Sequence, residues 1–137
     1  MKINYWLLKS EPSTWSWEDQ TKVGVEMWDG VRNYQARNNL MNMKKKDLCL
    51  FYHSVSEKLI IGIVEVVKEH YPDPTDRTGR FVVTDVRTKR KLKRAVSLEE
   101  IKSTPKLSNM ALIKQSRLSV MPLNKNEWET IIKISEK

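Results

Sequence analysis

Cysteine is nearly absent from this chain. Cys49 is the only one in 137 residues, which excludes an intramolecular disulfide and a zinc site built on paired thiolates. It falls inside Leu48-Cys49-Leu50-Phe51, so it reads as a buried thiol and not as a nucleophile. Histidine is scarce too: His53 and His70 are the only two, and neither has a partner at metal-ligand spacing. The four glycines form no glycine-rich phosphate loop and no strand–turn–helix nucleophile elbow. No apolar run reaches membrane-spanning length, and Met1-Lys2-Ile3-Asn4 lacks the apolar core of a secretion signal. A cytoplasmic location is expected, with no membrane partner, no metal and no cofactor. There is no internal repeat, linker or low-complexity segment, so residues 1–137 are expected to form one domain. A monomer is expected.

What the chain does have is positive charge and tryptophan. Twenty-five Lys and Arg face 17 Asp and Glu, a net charge of +8 and a pI near 9.6. That excess favours polyanionic partners, nucleic acid first. Four of the five tryptophans, Trp6, Trp15, Trp17 and Trp28, fall within the first 28 residues. Trp6 lies in an apolar run and Trp128 on the apolar face of the last helix, so both are expected in the core. Trp15 and Trp17 flank Ser16, so at most one of them faces inward.

The densest chemistry runs from Trp28 to Asn39, Trp-Asp-Gly-Val-Arg-Asn-Tyr-Gln-Ala-Arg-Asn-Asn. A tryptophan precedes an Asp-Gly turn, and a helix expected over residues 31–43 then carries Arg32, Asn33, Tyr34, Gln35, Arg37 and Asn38. A hydrophobic core has no use for this mixture. A flat heterocycle attached to a phosphate needs all of it: an aromatic face for stacking, amides for the base edge and guanidinium for the charge. Trp28 is the leading stacking candidate.

The rest of the chain alternates short strands with short helices. Tyr5 to Lys9 reads as a strand stopped by Pro12. Ser16 caps a short helix, and Leu48–His53 and Leu59–Lys68 are the clearest strands. Two further strands are expected at residues 80–86 and 87–96. A capping box at Ser97 starts a short helix, a strand runs over residues 117–121 to stop at Pro122, and Asn124 caps the final helix. The order implies an α+β fold: a mixed, mostly antiparallel sheet curled into a small barrel with short flanking helices.

Five segments together resemble the EVE domain in order and spacing: Lys9-Ser10-Glu11-Pro12, the block from Trp28 to Asn38, Phe51-Tyr52-His53-Ser54, Tyr71-Pro72-Asp73, and Gln115-x-Arg117-Leu118-Ser119-Val120. The resemblance covers Tyr5 to Trp128 and extends to the thymocyte nuclear protein group. It implies a PUA-like pseudobarrel, related to the YTH domains that read methylated adenine in RNA. It also implies a non-enzymatic module that reads a modified base, such as modified cytosine in DNA, by extruding it into a pocket. Extrusion costs roughly a few kcal/mol, whereas stacking contributes about 1–3 kcal/mol per base, so at least two ring faces should enclose the base. By the same resemblance, Lys9, Ser10, Glu11 and Pro12 form the pocket rim and Trp28 one wall. Asn33, Tyr34 and Arg37 follow on the next helix, Phe51, Tyr52, His53 and Ser54 close another side, and Gln115 and Arg117 come from the late motif. One departure stands out: the family's longer segment after Tyr-Pro-Asp-Pro-Thr, ending in Pro-x-Trp, is short here, with Phe81 near the place of that tryptophan. A smaller or more open cage is expected.

Arg87-x-Lys89-Arg90-Lys91-x-Lys93-Arg94 puts six cations in eight residues. With Arg32, residues Lys89, Arg90, Lys91, Lys93 and Arg94 are the expected phosphate contacts; a solvated, charge-protected edge strand is the alternative. Three functions remain open: a reader of a modified base in DNA or RNA, an RNA-binding module acting on transfer or ribosomal RNA by shape, and a base-processing enzyme using Glu11 or His53.

Overall fold

Side-chain caps and alternating apolar residues set the elements of the computed structural model, which describes residues 2–137. Strand β1 (Tyr5–Ser10) leads to helix α1 (Trp17–Val23), whose N-cap Ser16 forms a full capping box with Asp19. Strand β2 (Val25–Met27) and helix α2 (Tyr34–Asn42) follow, then β3 (Leu48–His53) and the long hairpin β4 (Leu59–Pro72) and β5 (Val82–Ser97). Short helices α3 (Leu98–Lys102) and α4 (Ala111–Lys114) bracket a 3-10 turn at Pro105–Leu107. The chain closes with β6 (Val120–Leu123) and α5 (Lys125–Ser135).

The six strands form one sheet in the order β2-β5-β4-β3-β1-β6. Only β1 and β3 run parallel; every other neighbouring pair is antiparallel. This is the expected α+β PUA-like architecture, with one correction. Among the described residues the edge strands β2 and β6 do not pair, so the curled sheet stays open and the small barrel does not close.

Several boundaries also differ from expectation: β4 runs on to Pro72 instead of ending at Lys68, and three others have a clear physical reason. Helix α2 starts at Tyr34 and not at residue 31, because Asn33 is its N-cap and accepts from the Ala36 N–H at 2.9 Å. Val31 and Arg32 therefore belong to the turn. The two strands expected at residues 80–86 and 87–96 are one strand, β5, which starts at Val82, since β4 supplies a continuous partner across several register shifts. Strand β6 begins at Val120 and includes Pro122. It lies at the sheet edge, where a missing N–H costs nothing.

Leu7, Leu8, Leu50, Phe51 and Ile60 from the sheet, Ala36 and Leu40 from α2, and Trp128 and Ile131 from α5 pack into a contiguous core. Trp6, Trp17 and Trp128 are buried in it, and Trp15 only partly. Gly62 is required where Trp17 crosses β4: a Cβ there would lie 2.4 Å from the indole ring. Cys49 is wholly buried, and that burial pushes its thiol well above the ordinary range. No helix among the described residues is long and apolar enough to cross a membrane.

Candidate nucleic-acid interface

The end of β1, the loop that follows it and the turn between β2 and α2 enclose a cleft of about 510 Å³. That volume suits a small planar ligand with an attached polar group. Lys9, Ser10 and Glu11 line one side, with Thr14 and Trp15 beyond them. Met27, Trp28 and the turn through Asn33 line the other, and Ser119 completes the rim.

Each wall is held from behind. Trp28 is only 7% exposed and meets Phe51 edge-on at 5.5 Å, while its backbone N–H donates to the Thr84 carbonyl at 2.7 Å. Trp15 is fixed by its indole N–H, which donates to Gln20 Oε1 at 3.0 Å. The Ser10 hydroxyl donates to the Trp15 carbonyl, tying the two sides of the loop together. Two indoles, Trp15 and Trp28, thus line the cleft.

The turn owes its shape to a buried carboxylate. Asp73, with no side-chain exposure, accepts from Gly30 N–H at 3.1 Å, Arg32 Nη1 at 3.0 Å, Thr75 N–H at 2.7 Å and Thr75 Oγ1 at 2.6 Å. Burial alone would raise its pKa. The bonds from Thr75, Gly30 and Arg32 outweigh that and hold it below the usual carboxylate range. Gly30 adopts φ +78°, which a glycine tolerates without strain. Arg32 also donates to Thr75 Oγ1 at 3.0 Å and rests over Phe81 at 5.4 Å, so its half-exposed guanidinium is a fixed cation at the cleft. Lys9 is a second cation. Its Nζ donates to the Ser116 carbonyl at 2.7 Å, and partial burial lowers its pKa.

Of the residues expected at the site, Lys9, Ser10, Glu11, Trp28, Arg32 and Asn33 come together in this cleft. The others are placed elsewhere. Pro12 lies in the turn after β1 and does not line the cleft. Phe51 is fully buried and reaches the cleft only through Trp28. Tyr52 is buried beneath Lys9, whose Nζ lies 6.0 Å from its ring. His53 is committed on both ring nitrogens: Nε2 accepts from the Trp17 N–H at 3.0 Å, so Nδ1 carries the proton and donates to Glu57 Oε1 at 2.8 Å. Ser54 donates its N–H to the Ser10 carbonyl at 2.9 Å, and Lys9 N–H donates to Ser119. Those two backbone groups of Lys9 and Ser10 are therefore not free for a base edge. Tyr34 stacks on Phe81 at 5.2 Å beneath Arg37, whose guanidinium lies 4.9 Å from the Tyr34 ring. Phe81 thus backs Arg32 and Tyr34 and does not line the cleft. Gln115 and Arg117 line a separate shallow groove of about 360 Å³ with Lys114, sharing Asn33 with the main cleft.

Sequence reasoning left Trp15 open and missed Asp73 as a brace, although Tyr71-Pro72-Asp73 was visible as a motif. Thr14, Met27 and Glu26, which also lines the cleft, carried no signal of their own.

The basic strand is less uniform than its sequence. Arg94 makes two bonds to the Glu100 carboxylate at 2.9 and 3.0 Å and a third to the Ile134 carbonyl at 3.0 Å, so it holds α3 and α5 to the sheet. Arg87 pairs with Glu65 at 2.7 Å, with Lys89 3.9 Å from the same carboxylate. Among the described residues, the exposed side chains of Arg90, Lys91 and Lys93 make no hydrogen bond or ion pair.

Residues 4–134 match the EVE domain. Thymocyte nuclear protein 1 of Mus musculus is 35% identical over 97% of this chain and 74% of its own length. Among solved structures, Rpa0253 of Rhodopseudomonas palustris is 45% identical with a TM-score of 0.92, covering 98% of this chain and 94% of that one. Human THYN1 protein, in complex with 5-methylcytosine containing DNA, is 34% identical with a TM-score of 0.91, over 98% of both chains.

Proposed function

The chain belongs to the EVE domain family, and from that premise we propose that it binds nucleic acid without catalysis and reads a modified base extruded into the cleft. The observation that carries this is the cleft itself: two braced indoles, Trp15 and Trp28, with the fixed guanidinium of Arg32 beside them. The indoles stack on the base and Arg32 meets its phosphate, while Asn33 and Glu11 offer polar groups to the base edge. The complex of the human relative with 5-methylcytosine containing DNA makes a methylated cytosine the first ligand to test. A single methyl contributes only about 1 kcal/mol, so discrimination is modest, roughly fivefold.

His53 is a poor acid or base for a base-processing role, since both its nitrogens are already bonded within the fold. Outside the cleft, Arg90, Lys91 and Lys93 contact phosphates, with Lys89 partly offset by Glu65. Three or four neutralised phosphates give a salt slope of about −3 to −4 on duplex DNA. The direct test places 2-aminopurine beside a 5-methylcytosine in an oligonucleotide. Its fluorescence should rise on binding as the neighbouring base leaves the stack, and an unchanged signal in a bound complex would rule extrusion out.

A further inference from the structure

The loop from Ser54 to Lys58 joins β3 to β4 and stands beside the cleft. At its tip, Val55 is 63% exposed, more than any other large apolar side chain among the described residues. Its φ is +70°. A β-branched residue in that region is an outlier, and glycine or asparagine would adopt the same backbone without the crowding. Buried packing does not account for Val55, because its side chain faces solvent.

The loop is fixed on every side. The Ser54 N–H donates to the Ser10 carbonyl at 2.9 Å, and His53 Nδ1 donates to Glu57 Oε1 at 2.8 Å. The Lys58 carbonyl accepts from Leu98 N–H at 2.9 Å, and Lys58 itself has φ +54°. Strain of this kind persists only where surrounding bonds over-determine it, and it concentrates at functional sites. The bond to Ser10 also sets the location. Ser10 lines the cleft, so Ser54 sits one hydrogen bond from a lining residue and Val55 is the next residue along the chain.

We propose that Val55 is a wedge that enters the base stack of a duplex when the neighbouring nucleotide is extruded into the cleft; this rests on the function proposed above. Extrusion leaves a gap between the flanking base pairs, and an apolar group can fill it where a hydrated polar one cannot. Proteins that open a base step commonly insert an aliphatic side chain for this reason. A wedge must not fold back when the bases press on it, and the braced loop provides that stiffness. Ser54 and Ser56 on either side are small enough to let the neighbouring base pairs close around the valine. A single-stranded ligand has no stack to open and gains nothing from it.

The test compares wild type with Val55→Gly and Val55→Asn, both suited to positive φ. The ligands are a 5-methylcytosine single strand, the matched duplex, and a duplex mismatched opposite the modified base. Duplex affinity should fall about tenfold in both variants while single-strand affinity stays within about twofold, and the pre-opened mismatch should recover most of the loss. The melting temperature of Val55→Gly should rise as the strain is relieved. Unchanged duplex binding overturns the wedge, as does an equal loss on single and double strands, which would signal an ordinary contact. A fall in melting temperature overturns it too, by showing that Val55 stabilises the fold. If wild type binds the single strand but not the duplex, the wedge alone fails; if it binds neither, the proposed function fails with it.

Discussion

Single side chains divide into those that face the cleft and those that hold it, and the two respond differently to removal. Trp28 belongs to both groups. At 7% exposure against Phe51, its truncation to alanine costs about 3–5 kcal/mol of stability, so any loss of base selectivity in that variant comes with a weakened fold. Trp15 is only partly buried. Trp15→Ala should keep most of the fold and weaken binding to a modified base by about tenfold, consistent with one stacking contact. Urea denaturation alongside oligonucleotide titration separates the two; equal destabilisation by both variants would count against this division. At this scale the sequence was half legible. The planar and cationic residues around Trp28 announce themselves by type, and six expected residues share the cleft. Asp73 and Phe51 act through other residues, and nothing in their local sequence says which side chains they brace.

At the scale of elements, the basic strand β5 separates charge that builds the protein from charge that is free to meet a ligand. Replacing Arg90, Lys91 and Lys93 with glutamate should weaken binding to all nucleic acids alike and flatten the salt dependence, with no change in base preference. Arg94→Ala should do the reverse. Its bonds to Glu100 and Ile134 join α3 and α5 to the sheet, so the variant should lose melting temperature and retain affinity. A binding loss for Arg94→Ala equal to that of the triple variant would mean that the strand acts as one phosphate surface. The elements themselves were mostly readable, because caps such as Ser16, Ser97 and Asn124 and the apolar runs of β3 and β4 are local signals. The errors came where tertiary pairing decides. Residues 80–96 read as two strands until β4 is seen to span both, and Pro122 reads as a stop until β6 is seen to be an edge.

For the whole molecule, several carboxylates brace turns, loops and helix starts and make stability depend on acid. Asp76 accepts from Thr78 and from the Arg80 and Phe81 N–H groups, which lower its pKa from 3.8 to about 2. Asp73, Asp19 and Glu100 are lowered as well, Asp19 and Glu100 mainly by bonds from Ser16 and Arg94 respectively. As pH falls, the unfolded chain takes up these protons before the folded one does. Their stabilisation is therefore complete above the unfolded values near 4 and is lost as pH drops through about 2. Urea midpoints should be level from pH 6 to 5 and fall steadily from pH 4 to 2; a midpoint that holds steady across that lower range would contradict these assignments.

The central claim is that the Trp15–Trp28 cleft of this EVE domain selects a modified base, with the basic surface supplying affinity only. The most direct measurement is binding to matched single- and double-stranded DNA and RNA, each unmodified, cytosine-methylated, cytosine-hydroxymethylated and adenine-methylated, at two salt concentrations. The prediction is a preference for one modified member, roughly fivefold on the strength of one methyl contact, that persists at the higher salt while overall affinity drops. Equal binding to every member, vanishing at the higher salt, would contradict it.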